Sequence, residues 1–289
     1  MRIAVFGNLY QEAHIQELST LFDLLSRHNV WVEMEESFYN YLCSMLQSPP
    51  EINDIIKGDD FNAAIALSIG GDGTFLRTAQ RVGEKEIPIL GINTGHLGYL
   101  TDVSVDEVND NLHNLLEGKY LVEARTMIGV TSPDAKLDLW QYALNEVAIL
   151  KEDTSSMIEM EATVDNSHLA TYLADGLIVS TPTGSTGYNL SVGGPIVAPS
   201  APVWAISPVA AHSLTMRPLI VSDDSIISVT TRSRSATYRI SLDGRSQTLP
   251  VGTTIEMRRA PFVTRVIQRL EHRFTDTLRS KLLWGIDKR

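Results

Sequence analysis

The chain has 289 residues, of which 43% are hydrophobic and 20% charged, which is typical of a globular protein with a sizeable core and excludes a disordered chain. Its 24 basic and 35 acidic side chains give a net charge of −11, which argues against a nucleic-acid partner bound through broad phosphate neutralisation. Cys43 is the single cysteine, which excludes an internal disulfide and a cysteine-based zinc site. No apolar run approaches the ~18 residues that cross a bilayer, and the short apolar N-terminus is typical of a buried strand, so we expect a cytoplasmic protein without a membrane partner.

The first third of the chain alternates strand-like and helix-like segments. Continuous apolar runs over 3–6, 63–69 and 87–92 predict strands covered on both faces, as in a parallel sheet with crossover helices. Apolar residues three and four positions apart predict a helix over 15–25. We therefore expect a Rossmann-like α/β domain over residues 1–121.

From about residue 122 the segments become short and rich in Val, Ile, Thr and Tyr, with Gly, Pro, Ser, Asn and Asp between them. This spacing predicts antiparallel strands and a mainly all-β, sandwich-like domain over 122–263. The predicted strands are 138–150, 157–164, 177–180, 226–231 and 237–242.

The last segment of the chain is basic. Residues 257–289 hold nine basic and three acidic side chains, a net of +6, so the first 256 residues carry −17. Such a tail is either a solvated polar face or a segment that docks on the acidic body or faces phosphate, and the sequence leaves both open. Phe274, Leu278 and Leu282 are four residues apart and predict a final helix.

A glycine-rich turn follows the apolar run that ends at Ile69. The run leads into Gly-Gly-Asp-Gly-Thr at 70–74 and then into helix-compatible residues. A strand, a glycine turn and a helix start together present backbone N–H groups and a positive dipole end to an anion, and glycine lets a phosphate approach closely. We therefore expect a phosphate-binding turn, with a tight turn that binds nothing as the alternative.

Asp72 distinguishes this turn from a simple phosphate cradle, because a carboxylate beside phosphate is repulsive. Its position suits a group that orients a hydroxyl and accepts its proton, or that faces a bridging metal ion, and phosphoryl transfer uses both functions. Arg77, predicted in the first turn of the next helix, would suit an anion at the helix start, although a solvated arginine is equally compatible. The P-loop, GxGxxG and protein-kinase motifs are absent from the sequence.

Two further segments place polar groups beside apolar strands. The loop from Ser180 to Asn189 is dense in hydroxyl groups and glycine, and it is longer than a hairpin needs, which favours contact with a polar ligand. Asn145 and Glu146 are adjacent in an otherwise apolar predicted strand. We expect their side chains to point to opposite faces, with at least one near the core or a cleft.

Together these segments resemble the NAD kinase family over nearly the whole chain. The turn at 70–74 is also shared with phosphofructokinases and with diacylglycerol-type lipid kinases, but the ordered set is much more specific. The resemblance rests on 70–74, Asn-Thr-Gly-His-Leu-Gly-Tyr-Leu at 93–100, Asn145-Glu146, Asp175-Gly176, Ser-Thr-Pro-Thr-Gly-Ser-Thr-Gly-Tyr at 180–188, 193–195, 212–214, 217–219, 278–282 and 284–285.

The resemblance implies a reaction and the residues that perform it. An NAD kinase transfers the γ-phosphoryl group of ATP to the 2′-hydroxyl of the adenosine ribose of NAD and so forms NADP. By this resemblance Asp72 takes the hydroxyl proton, and Gly71, Gly73 and Arg77 lie nearby as binding residues.

The resemblance also implies the dinucleotide site. Asn145 and Glu146 would hold the ribose and adenine side of NAD, and Asp175 the nicotinamide half. The site would further be lined by Thr186, Gly187, Tyr188, Asn189, Leu190, Ser191 and Ala210. Gly187 stands where alanine is usual in the family, and whether Arg245 or Gln247 of the late Asp-Gly loop contacts a ligand stays open.

The implied partners are NAD and ATP, with a divalent metal ion, Mg²⁺ in first place, brought with ATP. The family also implies a homo-oligomer, dimer or tetramer, and a tail over 264–289 that returns to the first domain. Two other functions remain open at this point. One is a lipid kinase that uses the same glycine turn, and the other is a non-catalytic nucleotide sensor.

Overall fold

A computed structural model of the chain describes residues 1–95, 98–101, 103–104, 107–152, 156–271 and 273–285, without the side chains of Asn109 and Asp110. The chain forms two units, one made of Met1–Ala124 with Thr264–Arg289 and the other of Arg125–Val263. Within the described ranges no helix has the length and apolarity needed to cross a bilayer.

The N-terminal segment alternates strands and helices. The helices are α1 (Ile15–Arg27), α2 (Glu36–Met45), α3 (Asp72–Val82) and α4 (Val108–Leu116). The strands are β1 (Arg2–Gly7), β2 (Trp31–Glu35), β3 (Asp54–Ile56), β4 (Ile65–Ile69), β5 (Ile89–Asn93), β6 (Val103–Ser104) and β7 (Leu121–Arg125).

The middle segment is built almost entirely of strands. Its described residues include one short helix, α5 (Tyr188–Ser191), directly after a 3-10 turn at Thr183–Thr186. The strands are β8 (Ile128–Thr131), β9 (Tyr142–Ala143), β10 (Glu146–Lys151), β11 (Ile158–Val164), β12 (Ser167–Ala174), β13 (Gly176–Ser180), β14 (Val203–Val209), β15 (Leu219–Ser222), β16 (Ile227–Arg232), β17 (Thr237–Leu242), β18 (Arg245–Pro250) and β19 (Thr254–Arg259). The tail adds β20 (Thr264–Gln268) and α6 (Phe274–Leu282).

The first unit is organised around one sheet with the order β3-β2-β1-β4-β5-β20-β7, and β6 pairs with β5. The strand pairs among β1 to β6, and the β5–β20 pair, are parallel. The carboxyl ends of neighbouring parallel strands lie at one edge, where α/β sheets bind ligands. The turn after β4 and the loop after β5 therefore leave the sheet side by side. The tail strand β20 lies between β5 and β7, as the family resemblance implied.

The second unit consists of two antiparallel six-stranded sheets, with the orders β15-β14-β13-β10-β17-β18 and β12-β11-β16-β19-β8-β9. Both sheets contribute to one buried apolar cluster, with Ile149 and Trp204 from the first and Met160 and Ile255 from the second. This packing makes a sandwich. The predicted fold class, an α/β unit followed by a mainly antiparallel all-β unit, is confirmed.

Candidate active site

The glycine-rich turn joins β4 to α3. Gly70 has a φ of 149°, and a Cβ atom on it would lie 2.5 Å from Thr74 Oγ1, so this position requires glycine. Gly71 is the N-cap of α3, and the space that a Cβ atom on Gly71 or Gly73 would take is open. Because the first N–H groups of a helix lack intrahelical acceptors, this uncovered helix start can bind an anion.

Asp72, the first residue of α3, is held by the backbone of the loop after β5. The N–H of Tyr99 donates to its Oδ2 (2.7 Å), and the N–H of Leu100 donates to its Oδ1 (3.0 Å). A Cβ atom on Gly98 would collide with the same carboxylate, so glycine permits this close approach. The two hydrogen bonds fix the carboxylate, while each oxygen keeps a second lone pair for a hydroxyl or a cation.

Two residues of this loop, His96 and Leu97, lie outside the described residues. In the sequence this loop is part of the family pattern, and no role of its residues follows from it. The structure shows the task of its described part, which is to supply two backbone donors to Asp72.

Arg77 lies in the second turn of α3. The expectation that it lies in the first turn is wrong, because the helix already begins at Asp72. Its exposed side chain does reach back toward the helix start, with Nη2 3.4 Å from Thr74 Oγ1. It lines a cavity of about 240 Å³ together with Arg81, which is paired with the Glu35 carboxylate at 3.0 Å.

Asn145 and Glu146 lie at a break between two strands, since β9 ends at Ala143 and β10 begins at Glu146. The single predicted strand over 138–150 is therefore wrong, and the Asp243 carboxylate is the physical reason. Its Oδ2 accepts the N–H of Leu144 (2.7 Å), and its Oδ1 accepts those of Asn145 (2.8 Å) and Glu146 (3.1 Å). These three N–H groups bind a side chain instead of a neighbouring strand.

The side chains of Asn145 and Glu146 approach one place, Gly187, so the expectation of opposite faces is wrong as well. A Cβ atom on Gly187 would lie 3.2 Å from Glu146 Oε2 and 3.6 Å from Asn145 Nδ2. Within the described part of the chain, Asn145 Oδ1 and Glu146 Oε2 are buried acceptors without a hydrogen-bond partner. An unsatisfied buried acceptor costs about 1–3 kcal/mol, so a ligand that donates hydrogen bonds here gains binding energy.

The carboxyl group of Glu146 titrates near neutrality. Loss of hydration, and then the negative charge of Asp243, raise the pKa of Glu146 to about 7, against an opposing hydrogen bond from the N–H of Tyr188. At neutral pH this group therefore exists both as a donor and as an acceptor.

The buried hydroxyl groups after β13 hold the protein's own backbone. Thr181 Oγ1 donates to the carbonyl oxygen of Leu144 (2.6 Å) and accepts the N–H of Gly184 (3.0 Å). Asn189 is fully buried, its Nδ2 donates to two backbone carbonyls, and its Oδ1 accepts from the Ser207 hydroxyl (2.7 Å). The amide of Asn189 therefore makes its hydrogen bonds within the fold.

The other predicted residues of this segment lie beside Gly187 in the chain, and the N–H of Leu190 donates to its carbonyl oxygen (3.1 Å). Thr186 and Leu190 are partly buried, whereas Tyr188 and Ser191 are exposed. The structure thus brings Asn145, Glu146 and the segment 186–191 together as one cluster.

Asp175 stands apart from that cluster. The register of β10 with β13 pairs Glu146 with Ser180 and Leu150 with Gly176, so Asp175 lies at the other end of this strand pair. Ser180, the partner of Glu146, lies five positions from Asp175, about 17 Å at roughly 3.4 Å per residue.

At that end, Asp175 and Ala210 are neighbours. The Asp175 N–H donates to the carbonyl oxygen of Val209 (2.9 Å), and its Oδ1 lies 2.6 Å from Lys151 Nζ. Ala210 has a φ of 47°, a left-handed conformation that costs a non-glycine residue roughly 1–3 kcal/mol and is typical of functional sites.

Arg245 and Gln247 both bind the backbone of the segment before β10. Arg245 donates to the carbonyl oxygens of Trp140 (3.1 Å) and Tyr142 (2.7 Å), and Gln247 Oε1 accepts the N–H of Asp138 (2.9 Å). Both side chains bind the protein's own backbone, and contact of either with a ligand stays untested.

The sequence pattern does not single out Asp243 as a residue of the site. The Asp-Gly pair has φ values of 48° and 81°, as a tight hairpin turn between β17 and β18 requires, and this turn was the available signal. Nothing local to the turn indicates that its carboxylate holds Asn145 and Glu146.

Comparison with known proteins gives consistent results along the chain. Residues 3–120 match the family model of the ATP-NAD kinase N-terminal domain, and residues 144–269 match that of the C-terminal domain. The chain is 45% identical to an NAD kinase of Bacteroides fragilis over 289 residues, with both chains fully covered. It is 42% identical to an NAD kinase of Porphyromonas gingivalis over 284 residues, or 98% of each chain.

Solved structures share the fold. A yeast NADH kinase complexed with NADH has a TM-score of 0.89 at 21% identity, covering 100% of this chain and 89% of that one. An NAD kinase from Archaeoglobus fulgidus in complex with ATP has a TM-score of 0.75 at 27% identity, and the match covers 97% of this chain and 99% of that one.

Proposed function

The chain belongs to the NAD kinase family, and we propose that it transfers the γ-phosphoryl group of ATP to the 2′-hydroxyl of the adenosine ribose of NAD, forming NADP. The observation that carries this proposal is the setting of Asp72. Its carboxylate stands at the start of α3, fixed by two backbone N–H groups and with lone pairs left for a hydroxyl.

In this reaction the ribose 2′-oxygen bonds to the γ-phosphorus while the bond from that phosphorus to the bridging oxygen breaks, and ADP leaves. Asp72 orients the hydroxyl and accepts its proton. Because the transition state is loose, the proton leaves late and a carboxylate is a sufficient base. The N–H groups at the start of α3 and the guanidinium of Arg77 would neutralise phosphate charge.

For the dinucleotide, we propose that Asn145 and Glu146 bind the ribose and adenine side. Their unsatisfied acceptors support this role, because ribose hydroxyl and adenine amino groups are hydrogen-bond donors. Asp175 is proposed for the nicotinamide half, whose carboxamide is also a donor. The residues proposed to line the dinucleotide site are Thr186, Gly187, Tyr188, Asn189, Leu190, Ser191 and Ala210.

A divalent cation, Mg²⁺ in first place, is proposed to arrive with ATP as its substrate complex. Mg²⁺ is commonly bound by one or two carboxylates and by substrate phosphates rather than by an all-protein cage. The free lone pairs of Asp72 fit that donor set. Chelation of the metal should abolish NADP formation, and added Mg²⁺ should restore it.

A homo-oligomer, dimer or tetramer, is also proposed, on the strength of the family resemblance. Light scattering on the eluting peak of a gel-filtration column measures the mass directly. A mass near the 31.9 kDa of one chain would contradict this proposal.

The proposed function is tested by incubating the purified chain with ATP, Mg²⁺ and NAD and measuring NADP. Asp72→Asn is expected to lower kcat roughly 100- to 10,000-fold, because the amide cannot accept the proton. NAD binding, measured by titration calorimetry, should persist in this variant.

Asp224→Asn is the matched control, since it makes the same change at a side chain that is 82% exposed. We expect it to keep wild-type activity. Phosphorylation of diacylglycerol instead of NAD, or nucleotide binding without NADP formation, would contradict the proposal. Full activity of Asp72→Asn would contradict the assignment of the base.

A further inference from the structure

The C-terminal helix places a cation against the loop that holds Asp72. Lys281, in the last turn of α6, donates from Nζ to the carbonyl oxygen of Gly98 and to that of Thr101 (3.0 Å). The same ammonium lies 5.7 Å from the centre of the Tyr99 ring. All these groups belong to the first unit.

One peptide group connects Lys281 to Asp72. The carbonyl of Gly98 and the N–H of Tyr99 belong to the same planar unit, so it accepts from Lys281 at one end and donates to Asp72 Oδ2 at the other (2.7 Å). A cation at the carbonyl polarises the peptide group and strengthens its N–H donor, because hydrogen bonds in a chain reinforce one another.

The second donor to Asp72 lies next to the other acceptor of Lys281. Leu100 N–H binds Asp72 Oδ1 at 3.0 Å, and the carbonyl of the next residue, Thr101, is the other acceptor of Lys281. The ammonium thus fixes the backbone on both sides of the two N–H groups.

We infer that Lys281 is a positioning residue for phosphoryl transfer, which sets the orientation of Asp72 toward the substrate hydroxyl through the peptide group of residues 98 and 99. This inference rests on the proposed function. It also assigns a role to the basic tail, since α6 brings a positive charge to the backbone of residues 98–101 rather than to water.

The kinetic test uses Lys281→Met, which keeps an apolar stem and removes the ammonium. We expect kcat to fall by about tenfold or more, because small misplacements of a reacting group are costly in the transition state. The KM values for NAD and ATP should stay within about twofold, since ground-state binding is untouched. Lys281→Arg should recover part of the loss, because it keeps a cation at the same carbonyl groups.

Arg279→Met is the matched control. It removes a cation of the same helix whose side chain is 65% exposed and is paired with Asp276. We expect wild-type kcat and KM values for this variant.

A second test follows the Tyr99 amide itself and needs no catalysis. The chain has nine tyrosines, so labelling with ¹⁵N-tyrosine gives a simple amide spectrum, in which Tyr99→Phe assigns the signal of Tyr99. We expect Lys281→Met to move this amide proton upfield, in the same direction as Asp72→Asn, because both changes weaken the same hydrogen bond. Arg279→Met should leave it in place.

The two tests fail in different ways. A wild-type chain that makes no NADP contradicts the proposed function, whereas an unmoved Tyr99 signal in Lys281→Met overturns the positioning role. That role is also overturned if the kcat of Lys281→Met lies within about twofold of wild type, or if the loss appears equally in KM. Unfolding of Lys281→Met at the assay temperature would overturn it too, since it would assign the lysine to stability.

Discussion

Glu146 and Asp243 are neighbouring carboxylates in contrasting surroundings. Burial raises the pKa of Asp243, against three backbone N–H groups that favour its charged form, whereas Glu146 Oε2 has no hydrogen-bond partner among the described residues. Dehydration and the charge of Asp243 raise the pKa of Glu146 from 4.5 to about 7. The folded chain therefore keeps a proton that the unfolded chain releases at lower pH.

This difference predicts the stability of Glu146→Gln. A raised carboxyl pKa means that the wild-type chain loses stability as pH rises from 4.5 to about 7, and the glutamine variant does not share this loss. The difference in free energy of unfolding, variant minus wild type, should therefore increase by roughly 1–3 kcal/mol when the pH is raised from 5 to 8. Urea denaturation at the two pH values measures it.

Glu152→Gln is the control with the opposite sign. The pKa of Glu152 is lowered, chiefly by a hydrogen bond from the Thr237 hydroxyl. The charged Glu152 carboxylate therefore stabilises the fold at pH values above its ordinary pKa, and this stabilisation is lost as the carboxylate is protonated in acid. This variant should be less stable than wild type at pH 8 and approach it in acid. If the gain of Glu146→Gln is the same at both pH values, the assignment of a neutral-range carboxyl is wrong.

At the scale of elements, the position at which α3 begins depends both on neighbouring residues and on contacts distant in the chain. The glycine turn and the apolar strand before it are formed by adjacent residues, and their sequence pattern therefore indicated a phosphate-binding turn. The helix nevertheless begins at Asp72, earlier than its pattern suggested, and this moves Arg77 into the second turn. Element boundaries depend on caps and contacts that periodicity does not contain.

The open space at Gly73 allows a substitution that should leave the stability of the fold intact and still lower the activity. Gly73→Ala adds a Cβ atom where the fold has no neighbour within 4 Å, and alanine favours a helix by up to about 1 kcal/mol. We expect unchanged or higher stability. Activity should fall by about tenfold or more, because an added methyl group at a packed site costs roughly 1–3 kcal/mol once the nucleotide is bound.

Gly58→Ala is the control for that prediction. A Cβ atom on Gly58 also meets nothing within 4 Å, and this residue follows β3, where its carbonyl oxygen accepts from Arg81 of α3 (2.6 Å), a contact that the added methyl group leaves in place. Thermal melts and kcat/KM are measured for both variants. Wild-type activity in Gly73→Ala would show that no ligand approaches the start of α3.

At the scale of the whole molecule, the two units differ in how they use the chain. The second unit draws its core from one continuous stretch, because its buried cluster runs from Ile128 to Met257. The first unit is discontinuous, since β20 lies between β5 and β7 and contributes Ile267 to its core.

This difference predicts how fragments fold. Residues 125–263 expressed alone should show a cooperative thermal transition, because both sheets and their shared core are complete. Residues 1–124 alone should not, because β5 and β7 lose the strand that joins them. Circular dichroism during heating tests both, and a cooperative melt of 1–124 would contradict the expectation.

The sequence by itself determined the fold class, the strand–turn–helix at Asp72 and the family, because glycine spacing, hydrophobic periodicity and ordered motifs lie in neighbouring residues. Only the tertiary structure decided how the site is held. Asp243 binds the N–H of Asn145 across 98 positions, and Lys281 reaches Gly98 across 183. Hydrogen bonds over such separations leave no periodic trace in the sequence, since the packing of strands and helices, rather than the residues next to each partner, brings the groups together.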